Sequence, residues 1–132
     1  MTEPKILFIG PGAIGGSVAA WVAENYPATF VMGHGATLAA LREIYKALKR
    51  EPITELGPIS HGNAISAYFR DPEGNRLEVF IDTQWHVPQP CAAPVDLLKS
   101  DAEIMAFVER QVADLPGVRA RADWEHERAA TF

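Results

Sequence analysis

Glu78 stands in an otherwise apolar run, between Leu77 and the pair Val79-Phe80. A carboxylate in such a run is costly unless it faces solvent or a cation. Tyr68 lies ten residues earlier, in a stretch where Ile65, Ala67 and Phe69 alternate with Ser66, Tyr68 and Arg70. Alternation lets the phenol and the carboxylate share one face of a sheet. His61 precedes that stretch, beside Gly62 in a loop. Each residue also has a plain structural account: a solvent-facing strand carboxylate, a cross-strand packing ring and a polar turn residue. Near the start, Gly10-Pro11-Gly12-Ala13-Ile14-Gly15 stands between an apolar run and a helical pattern. In that context Gly10 permits a tight turn, Gly12 lets a pyrophosphate approach the backbone, and Gly15 allows close helix–strand packing. The free N–H groups opening the helix would hold the phosphates.

Such residues need elements to position them. Residues 5–9 read as a buried strand, and residues 28–32 as a second, bounded by Pro27 and Gly33. Thr37 can cap a helix over residues 38–50, where Leu38, Leu41, Ile44, Tyr45 and Leu48 share one face. Pro52 ends it. Residues 53–60 read as a third strand, weakened by Gly57-Pro58. Residues 64–70 and 76–82 form a hairpin around Asp71-Pro72-Glu73-Gly74-Asn75, where proline presets one φ and Gly-Asn tolerates positive φ. The proline-rich residues 84–94 read as irregular and extended. Ser100-Asp101-Ala102-Glu103 is a capping box, opening a helix to about residue 113. Pro116-Gly117 breaks it, and residues 119–132 read as a loose or weakly helical tail.

A chain of 132 residues with 48% hydrophobic and 22% charged residues reads as one ordinary globular domain with a real core. Its net charge of −5 supplies no basic face for phosphates, so nucleic acid is not expected as a partner. The single cysteine, Cys91, fits a reducing compartment. No secretory leader pattern and no membrane span are read, so a cytoplasmic protein with no membrane partner is expected.

The stretch HGNAISAYFRDPEGNRLEVFIDTQWHVPQP, residues 61–90, resembles the closing strands of vicinal oxygen chelate proteins. That superfamily includes glyoxalase I, bleomycin-resistance proteins and extradiol dioxygenases. With LREIYKALK fitting the module's helix, the resemblance covers about residues 38–95. It implies a βαβββ module whose curved sheet cups a divalent metal, Fe2+ or Mn2+. Two histidines and one carboxylate would hold the ion, leaving positions open for substrate and dioxygen. On that pattern Glu78 is the metal carboxylate and Tyr68 the active-site tyrosine. His61 matches the histidine near the substrate's hydroxyls, a candidate acid–base group. The substrate implied is a small catechol-type aromatic. The two histidines are not matched. The family's position in this module falls on Phe30, and His34 lies four residues on, roughly 13 Å further along a strand. His86 lacks ligand spacing with Glu78, and a first module with its own histidine is not found in the sequence. An incomplete metal site is expected.

The opening KILFIGPGAIGG resembles the first strand and turn of ketopantoate reductase, an NADPH-dependent enzyme, and the likeness extends through VMGHGATLAALRE to about residue 43. It implies cofactor contacts at Gly10, Gly12 and Gly15. The remaining strands and helical domain of that family have no counterpart here, and residues 32–35 offer neither a ribose-binding acid nor an arginine. Half a crevice rarely holds a cofactor, so NADPH binding is not expected. The two resemblances meet near residues 37–43, as in a chimera. The expected fold is α+β: a vicinal-oxygen-chelate-type βαβββ module with an extra N-terminal Rossmann-like βα unit. Residues 1–27 would form that unit, 28–95 the module, and 96–132 a helix and tail. A single module leaves a curved face open, so a homodimer is expected. Three functions follow: an incomplete metal-dependent dioxygenase, a non-catalytic small-ligand-binding module, or an NADPH-binding fragment.

Overall fold

The computed structural model describes residues 6–9, 30–33 and 37–131, the first two stretches through their backbone alone. Strands β1 (Ile6–Ile9) and β2 (Phe30–Gly33) pair in parallel, with Ile6 opposite Phe30. Gly10, Gly12, Gly15, the helix expected after them and His34 lie outside the described residues.

Helix α1 (Leu38–Leu48) starts where expected, because the Thr37 hydroxyl accepts the Ala40 N–H at 3.1 Å. Strands β3 (Thr54–Ser60), β4 (Ala64–Arg70) and β5 (Arg76–Asp82) follow as an antiparallel meander. The register of β3 breaks between Thr54 and Gly57, where Glu55 takes a left-handed φ of 54°. At the next turn, the Asp71 side chain accepts the N–H groups of Glu73 and Asn75, while Gly74 supplies a φ of 85°. Strand β6 (Trp85–His86) comes next, then β7 (Ala93–Pro94), which adds to β3. The main sheet therefore runs β5-β4-β3-β7, with β2 close beside β5.

The β4–β5 register separates two faces. Ile65 pairs with Ile81, Ala67 with Val79 and Phe69 with Leu77, so these six point one way. Ser66, Tyr68 and Arg70 point the other way with Phe80, Glu78 and Arg76. The apolar face carries the core. Leu38 and Leu41 of α1 pack there with Ile104, Val108 and Val112 of α2 (Asp101–Val112). Helix α2 begins at the expected capping box, with the Ser100 hydroxyl and the Glu103 carboxylate each accepting the other residue's N–H.

The C-terminal segment is more ordered than its polarity suggests. Strand β8 (Arg119–Ala120) pairs with β6, and α3 (Arg121–Ala129) follows it directly. The Trp124 ring of α3 stacks on His86 with centroids 4.2 Å apart and planes 7° from parallel. The Arg128 guanidinium lies 5.1 Å from the Trp124 ring centre. None of α3 is buried, so no apolar stripe announced it; a few directed contacts dock it instead. The described residues are thus α+β, an antiparallel sheet with three helices. Among the described residues no helix is long and apolar enough to cross a membrane.

Candidate functional site

The polar face of the hairpin brings the three strand and loop candidates together. Glu78 on β5 lies directly opposite Tyr68 on β4. Such partners have Cβ atoms about 5 Å apart. Two residues before Tyr68 on the same face, the fully buried Ser66 donates its hydroxyl to Glu78 Oε1 at 2.7 Å. This bond answers the desolvation problem that a carboxylate in an apolar strand raises.

His61 enters from the turn between β3 and β4. Its Nδ1 lies 2.8 Å from the Cys91 carbonyl oxygen, and its Nε2 lies 2.9 Å from the Tyr68 hydroxyl. A carbonyl oxygen only accepts, so Nδ1 carries the hydrogen. In the neutral ring Nε2 must then accept, and Tyr68 donates to it. The two rings meet edge to face, 5.9 Å apart and 87° from parallel.

Burial, reinforced by the Glu78 carboxylate, pushes the Tyr68 phenol up to about 12, against the opposing pull of Arg76. The proton therefore stays on the oxygen that donates to His61. A raised folded-state value has a definite consequence for stability. Below the unfolded value near 10 both states hold the proton, and above it only the folded state does. Folding stability should accordingly fall as pH rises from about 10 towards about 12. After discounting for solvent screening the loss is about 1 kcal/mol. Tyr68→Phe should remove that part of the alkaline decline in denaturant melts. An alkaline decline unchanged in the variant would refute the assignment.

These contacts form a chain from Glu78 and Ser66, through Tyr68 beside them, to His61 and the Cys91 carbonyl. The alternation that placed Tyr68 also placed Ser66 on this face, so its part was readable and was missed. The Cys91 carbonyl had no sequence signal, because any residue can supply a backbone oxygen.

The described residues do not fit a resident metal. Glu78 is engaged by Ser66, and no group of three or more His, Cys, Asp and Glu side chains among them could hold an ion. His86 is stacked on Trp124, where burial and the cations of Arg119, Arg121 and Arg128 pull its imidazole below the usual value. An open cavity of about 380 Å³ is lined by Val95, Lys99, Phe107 and Arg110 among others, and includes none of His61, Tyr68 and Glu78.

No family model matches the chain, and no solved structure does. Part of the chain is nevertheless homologous to extradiol dioxygenases of the vicinal oxygen chelate superfamily. Two curated relatives from Rhodococcus globerulus carry this likeness. Biphenyl-2,3-diol 1,2-dioxygenase 3 is 40% identical over 63 residues, covering 45% of this chain and 33% of that protein. Biphenyl-2,3-diol 1,2-dioxygenase 2 is 44% identical over 46 residues, covering 35% of this chain and 24% of its own length. The chain spans a third or less of the length of the curated relatives it matches.

Proposed function

We propose that the chain is a dioxygenase-like vicinal oxygen chelate protein with an incomplete metal site. Its β2-α1-β3-β4-β5 order is the βαβββ module, and its polar sheet face takes a small catechol-type aromatic. The observation that carries this reading is the oriented pair Tyr68–His61, with Nδ1 tied to the Cys91 carbonyl and Glu78 opposite Tyr68. A diol presents two hydroxyls that donate and accept. His61 Nε2 is an acceptor for one of them once Tyr68 yields its place, and Glu78 is an acceptor for the other. The neutral imidazole can take up a phenolic proton, which suits it to general-base work on an acidic hydroxyl. A divalent metal would supply dioxygen activation in a ring-cleaving enzyme. The residues described here contribute a single carboxylate, Glu78, towards holding one.

Binding of the diol and metal-dependent turnover are separable activities of such a face. Thermal shift with biphenyl-2,3-diol, with and without added Fe2+ or Mn2+, tests both. A rise of several degrees without metal, largely lost in His61→Gln, is the expected result. Yellow ring-cleavage product appearing only with metal would establish the metal-dependent enzyme instead. No shift and no product in either condition would remove the reading. A pairing of two copies goes with it as the expected assembly, which sedimentation of the same samples reads directly.

A further inference from the structure

The turn that presents His61 is held from within the module and, through one residue, from outside it. Its three carbonyl oxygens each have a different side chain as donor. The His61 carbonyl accepts the Gln89 amide at 3.0 Å, and the Gly62 carbonyl accepts the Thr83 hydroxyl at 2.5 Å. The Asn63 carbonyl accepts Arg121 Nη2 at 2.6 Å. The same guanidinium donates through Nε to the Thr83 carbonyl at 2.9 Å and pairs with the Asp82 carboxylate at 3.2 Å. Arg121 opens α3, and its own N–H donates to the Gln84 carbonyl at 2.8 Å. One planar fork thus bridges the two ends of the hairpin, the turn before β4 and the residues just after β5. Lysine cannot reproduce this geometry, because an ammonium is a point charge without a fixed pair of N–H directions.

We infer that Arg121 is a positioning residue for His61, coupling the docking of the C-terminal helix to the orientation of the site's imidazole. The Thr83 and Gln89 bonds are made within the hairpin and the segment after it. The Arg121 bonds cross from another part of the chain and depend on α3 being in place. Pairing of β8 with β6 and the stack of Trp124 on His86 keep it there. With the fork removed, the Thr83 carbonyl loses a charged donor and the Asn63 carbonyl keeps only the Thr83 N–H. The turn then relaxes, and His61 Nδ1 leaves the Cys91 carbonyl. The inference rests on His61 being the group that meets the ligand, but its test does not require ligand.

The experiment compares wild type, Arg121→Ala and Arg121→Lys by long-range proton–nitrogen NMR, with His61→Gln assigning the signals and circular dichroism checking the fold. The wild type should show His61 with a protonated Nδ1 and an unprotonated Nε2. Both variants should shift the two nitrogens towards the averaged positions of a freely exchanging imidazole. Should Arg121→Ala unfold, Arg121→Lys retains the cation beside Asp82 and carries the same readout. A folded variant keeping the wild-type nitrogen pair would overturn the inference, as would a wild type dominated by the Nε2–H form. Failure of the diol to bind the wild type would count against the proposed function while leaving this result standing.

Discussion

Gly62→Ala should destabilise the chain by about 3 kcal/mol, combining roughly equal parts of backbone strain and overpacking. Gly62 has a φ of 76°, a conformation that a side chain disfavours. A Cβ added there would stand 2.8 Å from Val87 Cγ2 and 2.9 Å from Val112 Cγ1. Neither valine can yield easily, since both are buried in the core, Val112 in the last turn of α2. The turn itself cannot swing away, because Gln89, Thr83 and Arg121 hold its carbonyls. Gly74→Ala is the control, with a φ of 85° and nothing within 4 Å of the added carbon. It should cost only the conformational part, about 1 kcal/mol. Denaturant midpoints compare the two, and equal losses would show that the contacts at Gly62 are softer than described. Because His61 adjoins Gly62, the proposed function has the folded fraction of Gly62→Ala also bind the diol more weakly.

Leu41→Ala should cost about 3 kcal/mol through the cavity it leaves. Leu41 is fully buried where α1 crosses the apolar sheet face, in the cluster with Ile65, Ala67 and Ile81. Alanine is the better helix former, but that recovers only a few tenths of a kcal/mol. The candidate site lies on the other face of the sheet, so under the proposed function molecules that remain folded should bind the diol as wild type does. That separates this variant from Gly62→Ala, whose loss of stability comes with a disturbed His61. Leu98, 51% exposed, supplies the comparison, and its replacement by alanine should change stability by about 0.5 kcal/mol or less. A Leu41→Ala melt within 1 kcal/mol of wild type would contradict the packing described here.

Much of the site's scaffold was legible because its rules are local. The period of two in Ala64–Arg70 and the Asp71–Asn75 turn chemistry set both strands of the hairpin, and those strands span the expected residues. Side chains on one face follow from that alternation alone, so Tyr68 and Glu78 were assignable to a common face from residue order. The Ser100 box and the Thr37 cap mark their helices for the same reason, since a cap acts within three residues. Helix α1 stops at Leu48, the last residue of its apolar face and short of the expected residue 50, because residues 49 and 50 already turn towards Pro52.

The C-terminal segment was not legible. Its residues are polar throughout, and its docking depends on single directed contacts made by Arg121 and Trp124 with residues far back in the chain. Sequence by itself therefore determined the elements, the two faces of the hairpin and the residue types offered to a ligand, all properties of nearest neighbours in the chain. Tertiary structure decided the rest. It paired Ser66 with Glu78, set the tautomer of His61 through the Cys91 carbonyl, and closed the Arg121 fork over the turn. Those outcomes depend on which backbone oxygens and side chains meet across loops of 12 to 58 residues. Hydrogen bonds are directional over a few tenths of an ångström, and a one-dimensional pattern carries no information at that scale.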